Sequence, residues 1–433
     1  MAPPSSYASQ IPQLSPAELS YLHTSLSYPN NPIRPDGRSA TQFRPLTAET
    51  NILPGANGSA RIGFADGTQA IVGVKAEVEK TVLLTTLNQD DIDDEEGGEG
   101  ADAAGASAGE RGGRSGGRGG ARRSGQSSWV EMSIEIPGLR DDDALPVFLA
   151  EMMREALVGS GAETAGELEA GAMSEGLRGR LVINQGWHWR IYIDILLLSP
   201  PLTYPLPLLS LTTHLALLST KLPRLISKDE EDPMFDDDWE AAEYLYPRPR
   251  KSSSSSSSAP SLKQQQQQQQ PQLFRPPITL LVVTVGENII FDPTQEEISV
   301  AEAVHAVSVA RSGTTSSTLS LSKPNQQHQP SNLKLLAIRT IDPPSRLTNP
   351  GVPNSENAAT IGGGSATEAG TESSSTVTAE TSTFFSGEEV PGVWRPRRGG
   401  VKRAVISKIV ETVLRKGGVG DEVMEGLEGV EAG

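Results

Sequence analysis

The chain contains no cysteine. Disulfide scaffolds, thiolate nucleophiles and cysteine-ligated zinc are therefore excluded. Aromatic residues are only 5% and hydrophobic residues 36% of the 433 positions, too little apolar surface to order the full length. A chain this long carries a prior of about three domains, yet its Ser-, Gly-, Gln- and acid-rich stretches cannot build a core. Roughly 250 residues of patterned sequence remain, enough for one sizeable domain.

Long apolar runs are scarce as well. Ile195 to Thr220 has no Asp, Glu, Lys or Arg, but Pro200, Pro201, Pro205 and Pro207 interrupt it. A buried strand, a turn and a core helix are expected there, with no membrane span. The start, Met1-Ala2-Pro3-Pro4, lacks the basic-then-apolar layout of a signal peptide, and none is expected.

Negative charge is what the chain has in excess, at −17. Spread evenly, it would argue against a nucleic-acid partner. It is concentrated instead: Asp90 to Glu110 carries nine carboxylates without a Lys or Arg, and Asp229 to Glu243 carries another nine; without these eighteen the −17 becomes +1. The patterned part is near neutral, so the whole-chain charge says little about its partners.

Along the chain, Ser15-Pro16-Ala17-Glu18 is a capping box that opens a short helix through Leu22 and Leu26. Pro35-Asp36-Gly37 then makes a turn. Ser59 to Phe64 and Ala70 to Val74, joined at Asp66-Gly67, form a hairpin. Trp129 to Ile136 alternates as a strand, and Asp141-Asp142-Asp143 precedes a helix over Pro146 to Leu157. Leu181 to Leu198 holds the longest strand signal, followed by one helical face of Leu208, Leu211, Leu215, Leu218 and Leu222. Ile278 to Val285 and Asn288 to Phe291 make a hairpin at Gly286-Glu287. Pro293 to Ala310 is expected to be a helix with Val300, Val304 and Val307 inward, and Leu333 to Ile341 a strand. A basic amphipathic helix ends the pattern, with Val401, Val405, Ile409 and Val413 on one stripe. Mixed strands, hairpins and helices give an α+β class.

Several side chains invite a chemical role, each with a plainer alternative. Asp194 in its apolar strand is a candidate general acid or a structural partner for an arginine. Asp292 is expected to cap a helix before Pro293 rather than to hold a metal. Asp236-Asp237-Asp238 reads as a solvated acidic loop rather than a cation site. The Gly/Arg stretch Arg111 to Arg123 is similar to RGG-type RNA binders. His188 between Trp187 and Trp189 suits core packing better than base stacking. The basic helix around Lys402 and Arg403 either lines an RNA path or exposes its polar face.

Four segments together resemble one family. They are Ile33-Arg34-Pro35-Asp36-Gly37-Arg38 with Arg44-Pro45-Leu46 downstream; Asn57 to Arg61 running into Gly73-Val74-Lys75-Ala76-Glu77; Trp189 to Leu198 with the helix ending Lys221-Leu222-Pro223-Arg224; and Phe291-Asp292-Pro293-Thr294-Gln295-Glu296-Glu297. In this order they resemble the RNase PH-like ring subunits of the eukaryotic RNA exosome, in the lineage related to the archaeal non-catalytic ring subunit. The resemblance implies an RNase PH-like fold (ribosomal protein S5 domain 2-like) over 31–343. Low-complexity insertions are expected near 88–128, 159–180, 227–273 and 311–331. An N-terminal arm and helix at 1–30 would precede the domain. A disordered segment at 344–394, the domain's basic helix at 395–418 and a tail at 419–433 would follow it.

The resemblance further implies a six-membered ring of related subunits, capped by RNA-binding proteins. The ring passes RNA 3′ ends to a separate hydrolytic nuclease in rRNA maturation and mRNA turnover, in nucleus, nucleolus and cytoplasm. It implies no cofactor and no metal. Active relatives bind phosphate with a Gly-Thr-Arg-type loop after the long strand. Here Ser199-Pro200-Pro201-Leu202-Thr203 stands there: two prolines remove two amide donors and no arginine is present. The expectation is a subunit without catalysis, in which Asp36, Gly37 and Arg38 serve structure and Arg61, Arg190, Lys402 and Arg403 are candidate RNA contacts. The alternatives are an active phosphate-dependent exoribonuclease and a stand-alone RNA-binding adaptor.

Overall fold

Local signals start the chain as expected. In the computed structural model, which describes residues 14–29, 31–81, 126–159, 177, 180–184, 186–227, 232–246, 275–311, 333–341 and 401–430, helix α1 spans Pro16–Leu26 with the Ser15/Glu18 capping box formed in both directions. The Gly/Arg stretch, the Ser and Gln runs and 344–394 lie outside the described residues.

The first sheet has the order β1-β2-β3-β5-β4. Its strands are β1 (Leu46–Thr50), β2 (Gly58–Phe64), β3 (Gln69–Lys80), β4 (Val130–Glu135) and β5 (Trp187–Leu197). β2 and β3 are the expected hairpin, closed at Gly63 and Gln69. Gly67 in its turn sits at φ +88°, a value that costs glycine nothing. β4 and β5 run parallel, so a crossover is required, and helix α2 (Ala144–Val158) lies in it. The second sheet, β11-β10-β8-β9, comprises β8 (Ile278–Val285), β9 (Asn288–Phe291), β10 (Ala303–Arg311) and β11 (Leu333–Ile341).

Helix α3 (Leu206–Ser219) joins the two layers. It packs on β2 and β3 on one side and on β8 on the other. The single leucine face read from the sequence is therefore incomplete: Leu206, Leu209, Ala216 and Leu217 are buried as well. A helix apolar all round belongs between two layers, and each fully buried leucine contributes roughly 2 kcal/mol. Gly58 is where β2 meets the end of this helix, and a Cβ there would fall 2.4–2.6 Å from Thr220 atoms.

Three expectations need correcting. The stretch 293–310 is not one helix. A short α4 (Gln295–Val300) is followed by strand β10, buried on both faces between β8 and β11. Burial on both sides erases the alternation that identifies a strand, and a short apolar run then mimics a helix. Residues 232–246, expected inside an insertion, return to the domain. Leu225 bridges Phe235, β6 (Lys221–Leu222) pairs with β7 (Glu243–Tyr244), and Leu245 and Tyr246 are buried. The expected tail from 419 holds helix α6 (Val419–Glu428), which packs beside α5 (Arg403–Leu414) and buries Val419, Met424 and Leu427. No helix among the described residues is long and apolar enough to cross a membrane.

Candidate phosphate loop and RNA-facing residues

The segment from Arg34 to Arg44 enters the domain as a turn that delivers three arginines inward. Asp36 shapes it: Oδ1 accepts the Arg38 amide at 3.0 Å and Oδ2 accepts Arg38 Nε at 2.6 Å. Gly37 takes φ +75°. Arg34 then donates to both oxygens of buried Glu297, at 2.7 and 2.8 Å. Arg38 donates to Asp292 Oδ2 at 2.8 Å. Arg44 donates from Nη2 and Nε to Asp292 at 2.7 and 3.0 Å, and from Nη1 to Asp66 Oδ2 at 2.8 Å.

Asp292 is therefore not the helix cap expected from the sequence. Thr294 caps α4, with Glu297 completing a capping box. Asp292 is the acceptor at the centre of the arginine cluster, 1% exposed. Its backbone sits at φ +47°, which costs a non-glycine residue about 1–2 kcal/mol. Burial pushes its carboxyl up, but the Arg44 hydrogen bonds and the Arg44 and Arg38 charges outweigh that, leaving it below the usual carboxylate range. Burial likewise pulls Arg44 down, and Asp292 and Asp66 more than restore it. The Asp-Gly-Arg signature gave the turn; nothing local revealed that its partner lies beyond residue 290.

This cluster reaches the loop expected to correspond to a phosphate site. Thr203 Oγ1 accepts from Arg44 Nη1 at 2.9 Å, so its hydroxyl is tied into the core network. The loop carries no cation of its own. Arg44, the cation that touches it, is held by two carboxylates. The helix that follows adds little: Pro205 stands at the cap of α3 and Pro207 within its first turn. Prolines at these positions remove amide donors that a helix N-terminus offers an anion. Ser199 Oγ is buried and has no hydrogen-bond partner among the described residues.

The candidate RNA contacts separate into two kinds. Arg61 and Arg190 lie on the open face of the first sheet, beside carboxylates. Arg61 donates to Gln69 Oε1 at 2.5 Å and stands 4.0 Å from Glu49. Arg190 bridges Glu79 and Glu131 at 3.2 and 3.0 Å and lies over the Tyr192 ring. Lys402 and Arg403 are exposed at the start of α5 and form no ion pair among the described residues. The positive end of a helix dipole adds to their charge rather than offsetting it, so this end favours an anion.

Asp194 is exposed and pairs with no arginine among the described residues; it accepts from Ser133 Oγ at 2.8 Å on the open sheet face. His188 packs in the core, stacked on Trp129 with ring centroids 4.0 Å apart, and Thr81 meets its Nδ1. Asp236 and Asp238 accept backbone amides of their own loop at 3.1 and 3.0 Å. The described residues contain no cluster of three metal-ligating side chains.

No family model matches the chain. It is similar to the exosome complex component rrp42 of Schizosaccharomyces pombe, 28% identical over 321 residues, spanning 71% of this chain and 81% of that protein. It is also similar to the exosome complex component RRP42 of Saccharomyces cerevisiae, 27% identical over 294 residues, spanning 66% and 78%. Among solved structures, the Archaeoglobus fulgidus exosome with RNA bound to the active site aligns at a TM-score of 0.41 and 17% identity, over 75% of this chain and 87% of that one. The resemblance carried by four short segments is thus matched by sequence similarity to exosome components over most of the chain.

Proposed function

We propose that the chain is a structural, non-catalytic RNase PH-like subunit of the RNA exosome core ring. The observation that carries this reading is its similarity to two exosome complex components over most of their length as well as its own. In this role it forms interfaces with other RNase PH-like ring subunits and contributes part of the RNA channel. It supports cap proteins and a hydrolytic nuclease, in nucleus, nucleolus and cytoplasm.

Absence of catalysis is supported by the loop at 199–203. Phosphorolysis needs inorganic phosphate held beside the scissile bond by preorganised donors. Pro200 and Pro201 supply no amide, Thr203 is committed to Arg44, and Arg44 is committed to Asp292 and Asp66. Of the four candidate RNA contacts, Lys402 and Arg403 are the better placed to meet an RNA backbone, because they are exposed and no carboxylate among the described residues holds them.

The test is phosphorolysis by the purified chain, alone and with its ring partners. No phosphate-dependent release of nucleoside diphosphates from RNA is expected from the chain alone. Any release by the assembly should survive replacement of Ser199 and Thr203 by alanine. Release by the chain alone contradicts the non-catalytic reading.

A further inference from the structure

Strand β4 ends the first sheet. β5 flanks it on one side, and no strand among the described residues flanks the other. A strand paired on one side leaves outward N–H and C=O groups along its free edge. Helix α2 runs beside that edge, and a groove of about 490 Å³ lies between them. The helix wall is apolar, formed by Pro146, Val147 and Ala150, with Val147 53% exposed.

The rim is acidic. Glu131, Glu135, Asp141 and Glu151 face one cation, Arg154. Arg154 is already held by both oxygens of Glu151, and Glu131 is held by Arg190. Glu135 and Asp141 take part in no ion pair among the described residues.

A free strand edge beside a helix can receive an extended segment as an added strand. Main-chain hydrogen bonds give the affinity and alternate side chains the choice. We infer that this edge receives an extended protein segment bearing Lys or Arg at alternate positions, added beside β4 with a cation at Glu135 and Asp141. The acidic rim repels a phosphate backbone. A second copy of β4 is equally disfavoured, because it sets Glu131 and Glu135 against like charges. The inference uses only the surface of this chain and stands apart from the ring reading.

The experiment is fluorescence anisotropy of the full chain with a short labelled peptide alternating Lys with Val. Saturable binding is expected, with hydrogen-exchange protection of residues 130–135. The same peptide N-methylated at alternate residues, and one with Glu for Lys, should not bind. Glu135→Lys with Asp141→Lys should weaken binding by about tenfold or more at an unchanged melting temperature. Val147→Glu, an exposed substitution on the opposite wall, tests the groove independently and should also weaken binding. No binding, equal binding of the N-methylated peptide, or no protection over 130–135 overturns the inference. Binding that emerges only after deletion of Arg111–Arg123 also overturns it, because the occupant is then the chain's own segment.

Discussion

Arg44 and Asp292, 248 residues apart in the chain, meet in a two-pronged buried ion pair, Nη2 to Oδ1 at 2.7 Å and Nε to Oδ2 at 3.0 Å. The pair ties the N-terminal turn to the end of β9, and through Asp66 and Thr203 it also fixes the β2–β3 turn and the 199–203 loop. A pair this buried adds little over a well-packed apolar substitute, but losing one partner strands the other's charge.

Asp292→Asn therefore leaves Arg38 and Arg44 short of a counter-charge and should cost about 3–5 kcal/mol in urea unfolding. Asp141→Asn, at an exposed carboxylate in no ion pair among the described residues, should stay within about 0.5 kcal/mol. Equal effects would contradict the central place given to Asp292.

Acid sensitivity should begin with His214. It is fully buried on α3, and burial pushes its imidazole down from 6.5 to about 4, with the Arg275 and Arg311 charges adding to that. Its ring nitrogens lie near the Pro276 and Pro277 carbonyls without forming well-shaped hydrogen bonds. Between those two values the unfolded chain takes up a proton that the folded chain refuses. Stability is thus full above about pH 6.5 and falls as the pH drops towards 4, by on the order of 3 kcal/mol. The depressed Asp292 carboxyl acts in the same direction at lower pH. His214→Leu should flatten the first part of a stability–pH curve measured by denaturant titration.

Gly58→Ala places a Cβ 2.4–2.6 Å from backbone and side-chain atoms of Thr220. Neither β2 nor the end of α3 can shift freely, so a loss of about 3 kcal/mol or more is expected in thermal unfolding. Gly55→Ala, which meets nothing within 4 Å, is the matched control.

How far the sequence carried this description depended on how local each signal was. The Ser15/Glu18 box and the Asp66-Gly67 turn are encoded within a few residues, and both form as read. β10 resembles a helix in sequence because neighbours on both sides bury both faces, which no window of sequence contains. α6 carries glycines that lower its helix propensity, and docking of Val419, Met424 and Leu427 makes up for them. The acidic run at 236–240 concealed a segment held by Phe235 against Trp189 and by buried Tyr246. The roles of Asp292 and Arg44 were hidden for the same reason: each partner is set by tertiary contact.

Of the arginines and lysines proposed to meet RNA, those without carboxylate partners should matter most. Lys402→Glu with Arg403→Glu should lower RNA crosslinking to the assembled complex several-fold and reduce its salt dependence. Arg61→Ala with Arg190→Ala removes cations already engaged by Glu49, Glu79 and Glu131 and should change it less than about twofold.

Native mass spectrometry of the tagged chain isolated from its own cells tests the central claim most directly. The account predicts a complex holding one copy of this chain with five other RNase PH-like subunits and cap proteins. Recovery of the chain alone, or with RNA and no related subunit, would contradict it.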